Sequence, residues 1–205
     1  MFHRNASTRA LVRPLLAALC AGALTVMLAP FATASGNVVF RSHETLRDSH
    51  IEQEEHGDEF CPDVPFLVRW EGRVTITEKG IARGGGELEY YSIHISAEDT
   101  FTNEETGVSF RSVDTFNGND QKLTLNADGT LTVEFMDRFS SKLFGSDGKL
   151  VGIDAGTFAG TLLIDLGDPE DPEDDTVVNE TITRDHGTRT FGERDFCQDV
   201  LDFLG

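Results

Sequence analysis

The sequence predicts an all-β protein: an antiparallel up-and-down β-barrel of about eight strands, closed by one disulfide and followed by a short C-terminal helical turn. Three observations lead to this prediction. Apolar and polar residues alternate with a period of two, glycine-containing turn sequences separate the alternating runs, and two cysteines flank them. A barrel is favoured over a sandwich because consecutive hairpins can close on themselves, which removes exposed sheet edges.

The alternation is clearest in residues 66–77, where Val68, Trp70, Val74 and Ile76 are separated by charged or polar residues. Such a strand buries one face and exposes the other. Three turn sequences lie between strand-like runs and each ends in a glycine suited to a positive φ, which predicts hairpins. These turns are residues 102–107, 126–129 and 145–148. The other strands are predicted at 87–97, 108–116, 121–126, 130–139, 149–154, 157–166 and 176–183.

Residues 1–34 are predicted to be a cleavable secretory signal peptide. Arg4, Arg9 and Arg13 form a basic start without acidic residues, an apolar run spans 15–29, and 32–34 are small residues suited to cleavage. The apolar run is shorter than the roughly 20 residues of a membrane-spanning helix. We therefore expect cleavage rather than a retained anchor, and a secreted, extracellular protein.

The charge of the chain limits its expected partners. There are 17 basic and 36 acidic residues, and the leader holds three of the basic ones, so the processed chain has 14 against 36 and a net charge of −22. Such a charge repels nucleic acid and anionic membranes and keeps a secreted domain soluble and monomeric. The charge leaves cations and cationic partners as possible binding partners.

Cys61 and Cys197 are the cysteines that remain after cleavage. An even pair in an oxidising compartment predicts one disulfide between them. A redox-active pair is disfavoured because the sequence has no Cys-x-x-Cys motif. The bridge would join the two ends of a single barrel domain at residues 60–205.

Residues 35–59 are predicted to be a flexible acidic segment, because residues 41–60 are polar and acidic with few apolar side chains. His43, His50 and His56 lie here among carboxylates, and this donor set can bind zinc or copper. Because the spacing is irregular and the segment is predicted to be unfolded, the sequence predicts no preformed metal site and no cofactor.

Several polar residues fall on strand faces that otherwise consist of apolar residues. A carboxylate inside an apolar barrel needs a partner, water or a ligand, and small barrels can hold one small ligand. We therefore predict a ligand site in the lumen, unless a β-bulge turns these acids to solvent. Its candidate residues are Trp70, Phe110, Asp114, Phe135, Asp137 and Glu180.

No catalytic residues are predicted, because the sequence has no Gly-x-Ser-x-Gly elbow, no His-Glu-x-x-His motif and no phosphate-binding glycine loop. The acidic run at 168–175 could attract calcium through its oxygens. It lacks the ligand spacing and central glycine of an EF-hand loop, so a proline-punctuated acidic loop between strands is the preferred interpretation.

The sequences Phe60-Cys61-Pro62 and Arg69-Trp70-Glu71-Gly72, the hairpin at 102–107 and the late Cys197 together resemble a group of small secreted proteins from high-GC Gram-positive bacteria. The resemblance covers roughly residues 60–200 and implies a bacterial exported protein without implying an activity. Strand number and hairpin order are also similar to allene-oxide-cyclase-like and lipocalin-like barrels. That likeness is one of architecture, which does not carry function.

The sequence thus predicts a secreted binding protein with an unknown small ligand in the barrel lumen or a partner at the rim. Two alternatives stay open: an isomerase- or cyclase-type enzyme that acts inside the barrel, and a structural or interaction protein of the cell surface. A cavity lined by aromatic and acidic residues would favour binding or catalysis, whereas a solidly packed barrel would favour a surface role.

Overall fold

The computed structural model describes residues 38–82, 88–167, 175–192 and 194–205. Within them, one antiparallel sheet of seven strands follows the order of the chain. The strands are β1 (Val38–Ile51), β2 (Val68–Ala82), β3 (Glu89–Asn103), β4 (Ser109–Leu125), β5 (Thr130–Phe144), β6 (Leu150–Asp165) and β7 (Thr176–Arg189). A short helix, α1 (Glu52–His56), and a 3₁₀ turn (Gly57–Glu59) follow β1, and helix α2 (Phe196–Leu204) ends the chain.

The predicted all-β class, the up-and-down strand order, the short C-terminal helix and the disulfide are confirmed. The three predicted hairpins are also present. Gly107, Gly129 and Gly148 have φ values of 71°, 89° and 75°, a region that L-residues with side chains rarely adopt. Their amide groups close the turns by donating to the carbonyl oxygens of Asn103, Asn126 and Gly145.

The predicted barrel is wrong, because the described sheet is open. β1 pairs with β2 and β7 pairs with β6, and no ladder between β1 and β7 joins the two edges in the described residues. Alternation of apolar and polar residues in the sequence shows that one face of a strand is less exposed than the other. It does not show whether a closed sheet or a separate element covers that face.

The strand number differs from the predicted eight for two reasons. Residues 108–126 and 149–166 are each predicted as two strands, and each forms one long strand, β4 and β6. The polar residues 117–120 and Gly156 look like interruptions in sequence, yet the backbone stays paired through them. In addition, β1 lies in a segment for which the sequence pattern predicts no strand.

The N-terminal acidic segment predicted at 35–59 is corrected by the structure: residues 38–51 form β1 and residues 52–56 form α1. Most side chains of β1 are exposed, so their composition resembles that of a solvated tail. The strand is held instead by its backbone pairing with β2, from Val38 opposite Ile81 to Ile51 opposite Arg69. Composition alone cannot reveal such a strand.

The buried core lies at one end of one sheet face. There the segment after α1 and helix α2 cover the sheet, and the bridge Cys61–Cys197 joins them with a Cα–Cα distance of 5.2 Å. The buried members of this core are Cys61, Val68, Phe110, Leu143, Val200 and Leu204. The end of α2 is fixed because buried Asn103 donates its side-chain amide to the carbonyl oxygen of Leu204 at 2.9 Å.

The register places one row of rings on this covered face. His50 of β1 is opposite Trp70 of β2, which is opposite Phe101 of β3, which is opposite Phe110 of β4. Directly opposed residues share a sheet face. The row therefore leads from the edge strand β1 into the core.

No helix of the described residues has the length and apolar character that crossing a bilayer requires. The disulfide is compatible with an extracellular location. The predicted signal peptide at 1–34 and residues 168–174 of the predicted acidic loop lie outside the described residues.

Candidate metal centre

Three side chains converge where β1 passes into α1. His50 is the second-last residue of β1, and Glu52 and His56 lie on α1. One donor atom from each of the three lies within 4.8 Å of the other two. Glu52 Oε2 is central, since it lies 3.0 Å from His56 Nδ1 and 3.9 Å from His50 Nε2.

The local fold creates this arrangement in a simple way. Residues four apart on a helix project side by side, which brings Glu52 next to His56. Glu52, Glu54 and Glu55 also favour helix initiation, because acidic groups are stabilised in a first helical turn. Gly57, with a φ of 57°, ends the helix after His56.

The side chain of Gln53 attaches α1 to the strand that follows it. Its amide nitrogen donates to the carbonyl oxygen of Phe66 at 2.9 Å, and its amide oxygen accepts from the backbone N–H of Val68 at 3.0 Å. Val68 is completely buried. A five-residue helix would be unstable alone, so this clamp fixes α1 against the core.

The ring of His50 is positioned from the other side by Trp70. The two rings lie 4.8 Å apart, and the indole Nε1–H donates to Asp99 Oδ1 at 3.0 Å. Trp70 also covers Gly72, where the Cβ of any other residue would lie only 2.2 Å from the indole. Glycine at position 72 therefore leaves the space in which the indole supports His50.

The cluster combines a buried carboxyl group with a buried imidazole nitrogen that lacks a hydrogen-bond partner in the described residues. Glu52 is only 7% exposed. His50 Nε2 is buried and has no hydrogen-bond partner in the described chain, because Glu52 Oε2 is too distant at 3.9 Å. Buried polar atoms are normally paired, and a buried carboxylate requires compensation of its charge. A cation held between the two groups would satisfy both.

Two imidazole nitrogens and one carboxylate oxygen form a donor set typical of zinc and related divalent transition metals. Calcium and magnesium prefer sets made of oxygens alone. Donors around a zinc ion lie about 2.0–2.2 Å from it and hence roughly 3.4 Å from one another. Because the widest separation here is within 4.8 Å, a contraction of at most about 1.4 Å would bring the most distant donors to this spacing.

A groove of about 420 Å³ adjoins the cluster. Glu52 and His56 form part of its wall, and Glu59, Phe60, Phe101 and Phe196 form the rest. Phe196 contacts the other two phenylalanines edge to face, at 6.2 Å from Phe60 and 5.1 Å from Phe101 between ring centroids. The groove thus has aromatic walls, with the cluster on one side and Glu59 exposed at its border.

Two residues predicted for the lumen lie in or beside this region. Trp70 supports His50, and Phe110 is buried in the core, stacked on Phe101 at 5.1 Å. The other four predicted lumen residues lie elsewhere on the open sheet. With the barrel not formed, they do not line a closed lumen.

Asp114 lies half-buried on the sheet face, where it accepts hydrogen bonds from the hydroxyls of Ser141 and Ser112. Burial raises its pKa, although both serine hydroxyls act in the opposite direction. The pKa of neighbouring Asp99 is raised as well, by burial and by the charge of Asp114, while Trp70 opposes the shift. These two carboxylates form a separate polar group next to the indole.

Asp114 and Asp137 do not meet. Asp114 is opposite Ser141, whereas Asp137 is opposite Gly118, and the opposed pair Phe116 and Phe139 separates them. Phe135 covers Gly160, since its ring lies 3.0 Å from the position of a Cβ there. Glu180 lies on β7, opposite Leu162.

His50 and His56 stand out in the sequence as possible metal ligands. Because the segment around them is predicted to be unfolded, no preformed metal site is expected there. The segment is in fact folded, as strand β1 and helix α1, and it brings both histidines together with Glu52. His43 is not part of the cluster, because its Nδ1 is hydrogen-bonded to Thr77 Oγ1 at 2.9 Å farther along β1. The sequence signal that could have found the site is the helical spacing of Glu52 and His56 directly after a strand.

Comparison of the chain with protein-family models, with curated proteins and with solved structures finds no match.

Proposed function

We propose that this protein is an exported metal-binding protein, which holds a divalent transition metal ion of the zinc class between His50, Glu52 and His56. The observation that carries the proposal is the buried, unpartnered Nε2 of His50 beside the buried carboxylate of Glu52. An ion bound to both atoms would pair the nitrogen and compensate the charge.

The surroundings of the cluster support the same proposal. Metal sites depend on groups that orient the ligands. Here Trp70 packs against His50, and Gln53 anchors the helix that carries the other two ligands. Preorganisation of this kind lowers the entropic cost of binding, because the ligands are already held in place.

Export is part of the proposal and rests on the predicted signal peptide at 1–34, with the bridge Cys61–Cys197 as a compatible feature. The net charge of −22 expected after cleavage also supports cation capture, because a negative protein raises the local concentration of cations around it. The same charge repels nucleic acid and anionic membranes, so neither is proposed as a partner.

Isothermal titration calorimetry with Zn²⁺ tests the proposal on the purified protein. We expect one zinc per chain and, for each of His50→Gln, Glu52→Gln and His56→Gln, an affinity at least about tenfold lower, since each removes one of three ligands. Calcium should not compete, because it favours oxygen donors.

His43→Gln is the matched control, because His43 lies on the same strand but outside the cluster. It should bind zinc as the unmodified protein does. Zinc binding that is unchanged in the three ligand variants, or lost equally in His43→Gln, would contradict the proposal.

A further inference from the structure

The groove beside the cluster indicates which kind of small molecule the proposed metal site would bind. A zinc ion that is held by three protein groups in a four-coordinate site keeps one position open. Glu52 and His56 belong both to the cluster and to the wall of the groove. The open position is therefore expected to face the groove.

We infer that the groove binds a small aromatic nitrogen heterocycle that carries a cationic side group. The ring nitrogen would occupy the fourth metal position, the ring would pack against Phe60, Phe101 and Phe196, and the cationic group would lie near Glu59. This inference rests on the proposed metal function, because it uses the ion as an anchor.

Size and shape favour such a ligand. The groove volume of about 420 Å³ lies within the range of small-molecule sites, roughly 300–1,000 Å³. Aromatic rings pack well edge to face at centroid distances of about 4.5–7 Å. Phe196 already makes such contacts with Phe60 and Phe101, so its partly exposed ring offers a surface to a further ring.

The charged residues around the groove favour a cationic over an anionic ligand. Glu59 is exposed at the groove, and Glu54 and Glu55 are exposed on the adjacent helix α1. The whole chain is strongly acidic, with a formal charge of −19. At the end of the ring remote from the metal ion, a cationic group is therefore attracted to Glu59, whereas a carboxylate in the same place would be repelled.

Three probes separate these contributions on the zinc-loaded protein. 4-(Aminomethyl)pyridine has a ring nitrogen and a cationic group, isonicotinate has the same ring nitrogen with an anionic group, and benzylamine has the cationic group without a ring nitrogen. In the two pyridines the substituent is opposite the ring nitrogen, so neither probe can chelate one ion and strip it from the protein.

By calorimetry we expect 4-(aminomethyl)pyridine to bind about tenfold more tightly than isonicotinate and benzylamine, and to lose that advantage over benzylamine when zinc is removed. Glu59→Gln should reduce the preference for the cationic over the anionic pyridine about fivefold. Phe196→Ser should weaken 4-(aminomethyl)pyridine about tenfold. The matched control is Phe40→Ser, which removes another exposed phenylalanine, on β1, and should have no effect.

The tryptophan emission and thermal midpoint of each variant establish that it is folded before its affinity is compared. If zinc binds as proposed but 4-(aminomethyl)pyridine does not bind, or binds equally well without zinc, the groove inference is overturned and the metal site stands. If the protein takes up no zinc, both proposals fail together.

Discussion

The imidazole of His50 and the indole of Trp70 lie 4.8 Å apart across the β1–β2 pair, and Trp70 is the only tryptophan of the chain. The proposed metal centre therefore has a built-in optical reporter. No other indole contributes to its fluorescence, so a change in emission can be assigned to this part of the sheet.

Binding of Cu²⁺, which competes for the same nitrogen and oxygen donors, should quench Trp70 fluorescence, because a paramagnetic ion near an excited indole deactivates it. The quenching should saturate at one ion per chain and be largely lost in His50→Gln and His56→Gln. Fluorescence titration measures both effects. Equal quenching in these variants and in His43→Gln would mean that copper binds elsewhere.

Removal of the bridge by the double substitution Cys61→Ser and Cys197→Ser should destabilise the fold by about 5 kcal/mol in the chain-entropy model, because the bridge closes a loop with a sequence separation of 136. It joins the segment after α1 to helix α2, so Phe60 and Phe196 should also lose their fixed positions at the groove. Urea unfolding without reductant measures the change. A loss below about 1 kcal/mol would show that packing alone holds the two ends.

Arg194→Ala should destabilise the protein by about 2 kcal/mol, because it leaves the carboxylate of Asp199 buried without its partner. Asp199 is 2% exposed and accepts from Arg194 Nε at 2.9 Å. The figure is below the roughly 3–5 kcal/mol for breaking a fully buried pair, because Arg194 itself is about one third exposed. Thermal unfolding measures the loss.

Lys149→Ala is the comparison for this pair. It removes an ion pair with Asp147 in which both side chains are largely exposed, so its effect should be too small to measure. Equal losses in Arg194→Ala and Lys149→Ala would contradict the importance assigned to the burial of Asp199.

Asp114→Asn should change how stability depends on pH. Burial raises the pKa of Asp114 in the folded state above its value in the unfolded chain. A carboxyl group with a raised folded pKa favours folding below the unfolded pKa, near 3.9, and that contribution is lost as the pH rises through the folded pKa. The free energy of unfolding should therefore fall less between pH 4 and pH 7 in Asp114→Asn than in the unmodified protein.

Urea unfolding at the two pH values measures this difference. The asparagine oxygen can still accept hydrogen bonds from Ser112 and Ser141, so these contacts need not be lost. The pKa of Asp99, which the charge of Asp114 raises, should fall in the variant as well. The same pH dependence in both proteins would show that Asp114 is not desolvated in the folded state.

Local features of the fold could be predicted because they follow from local chemistry. The alternation around Val68 and Val74 predicted a strand, and glycines such as Gly107 predicted turns, since few other residues adopt their φ values. The pairing of Cys61 with Cys197 could be predicted because they are the two cysteines expected after cleavage of the signal peptide. None of these features depends on how the sheet curves.

Three features could not be predicted in the same way: that the sheet stays open, that β1 is a strand, and that the residues of the proposed metal centre come together. Closure depends on long-range geometry, and β1 is held by backbone hydrogen bonds to β2 while its side chains, such as His43, stay exposed. The site requires a strand to end next to a helical turn, so that His50 meets Glu52 and His56. The spacing of these three residues in the sequence looks irregular, because His50 lies on a strand and the other two lie on a helix, and the side-chain periods of strands and helices differ.

The most direct test of the proposed metal centre is zinc K-edge X-ray absorption spectroscopy on the zinc-loaded protein. We predict nitrogen and oxygen ligands at about 2.0–2.2 Å, with imidazole scattering from two histidines that falls by about half in His56→Gln. A shell of oxygens without imidazole scattering, or a spectrum that stays the same as that of the unmodified protein in His50→Gln and His56→Gln, would contradict it.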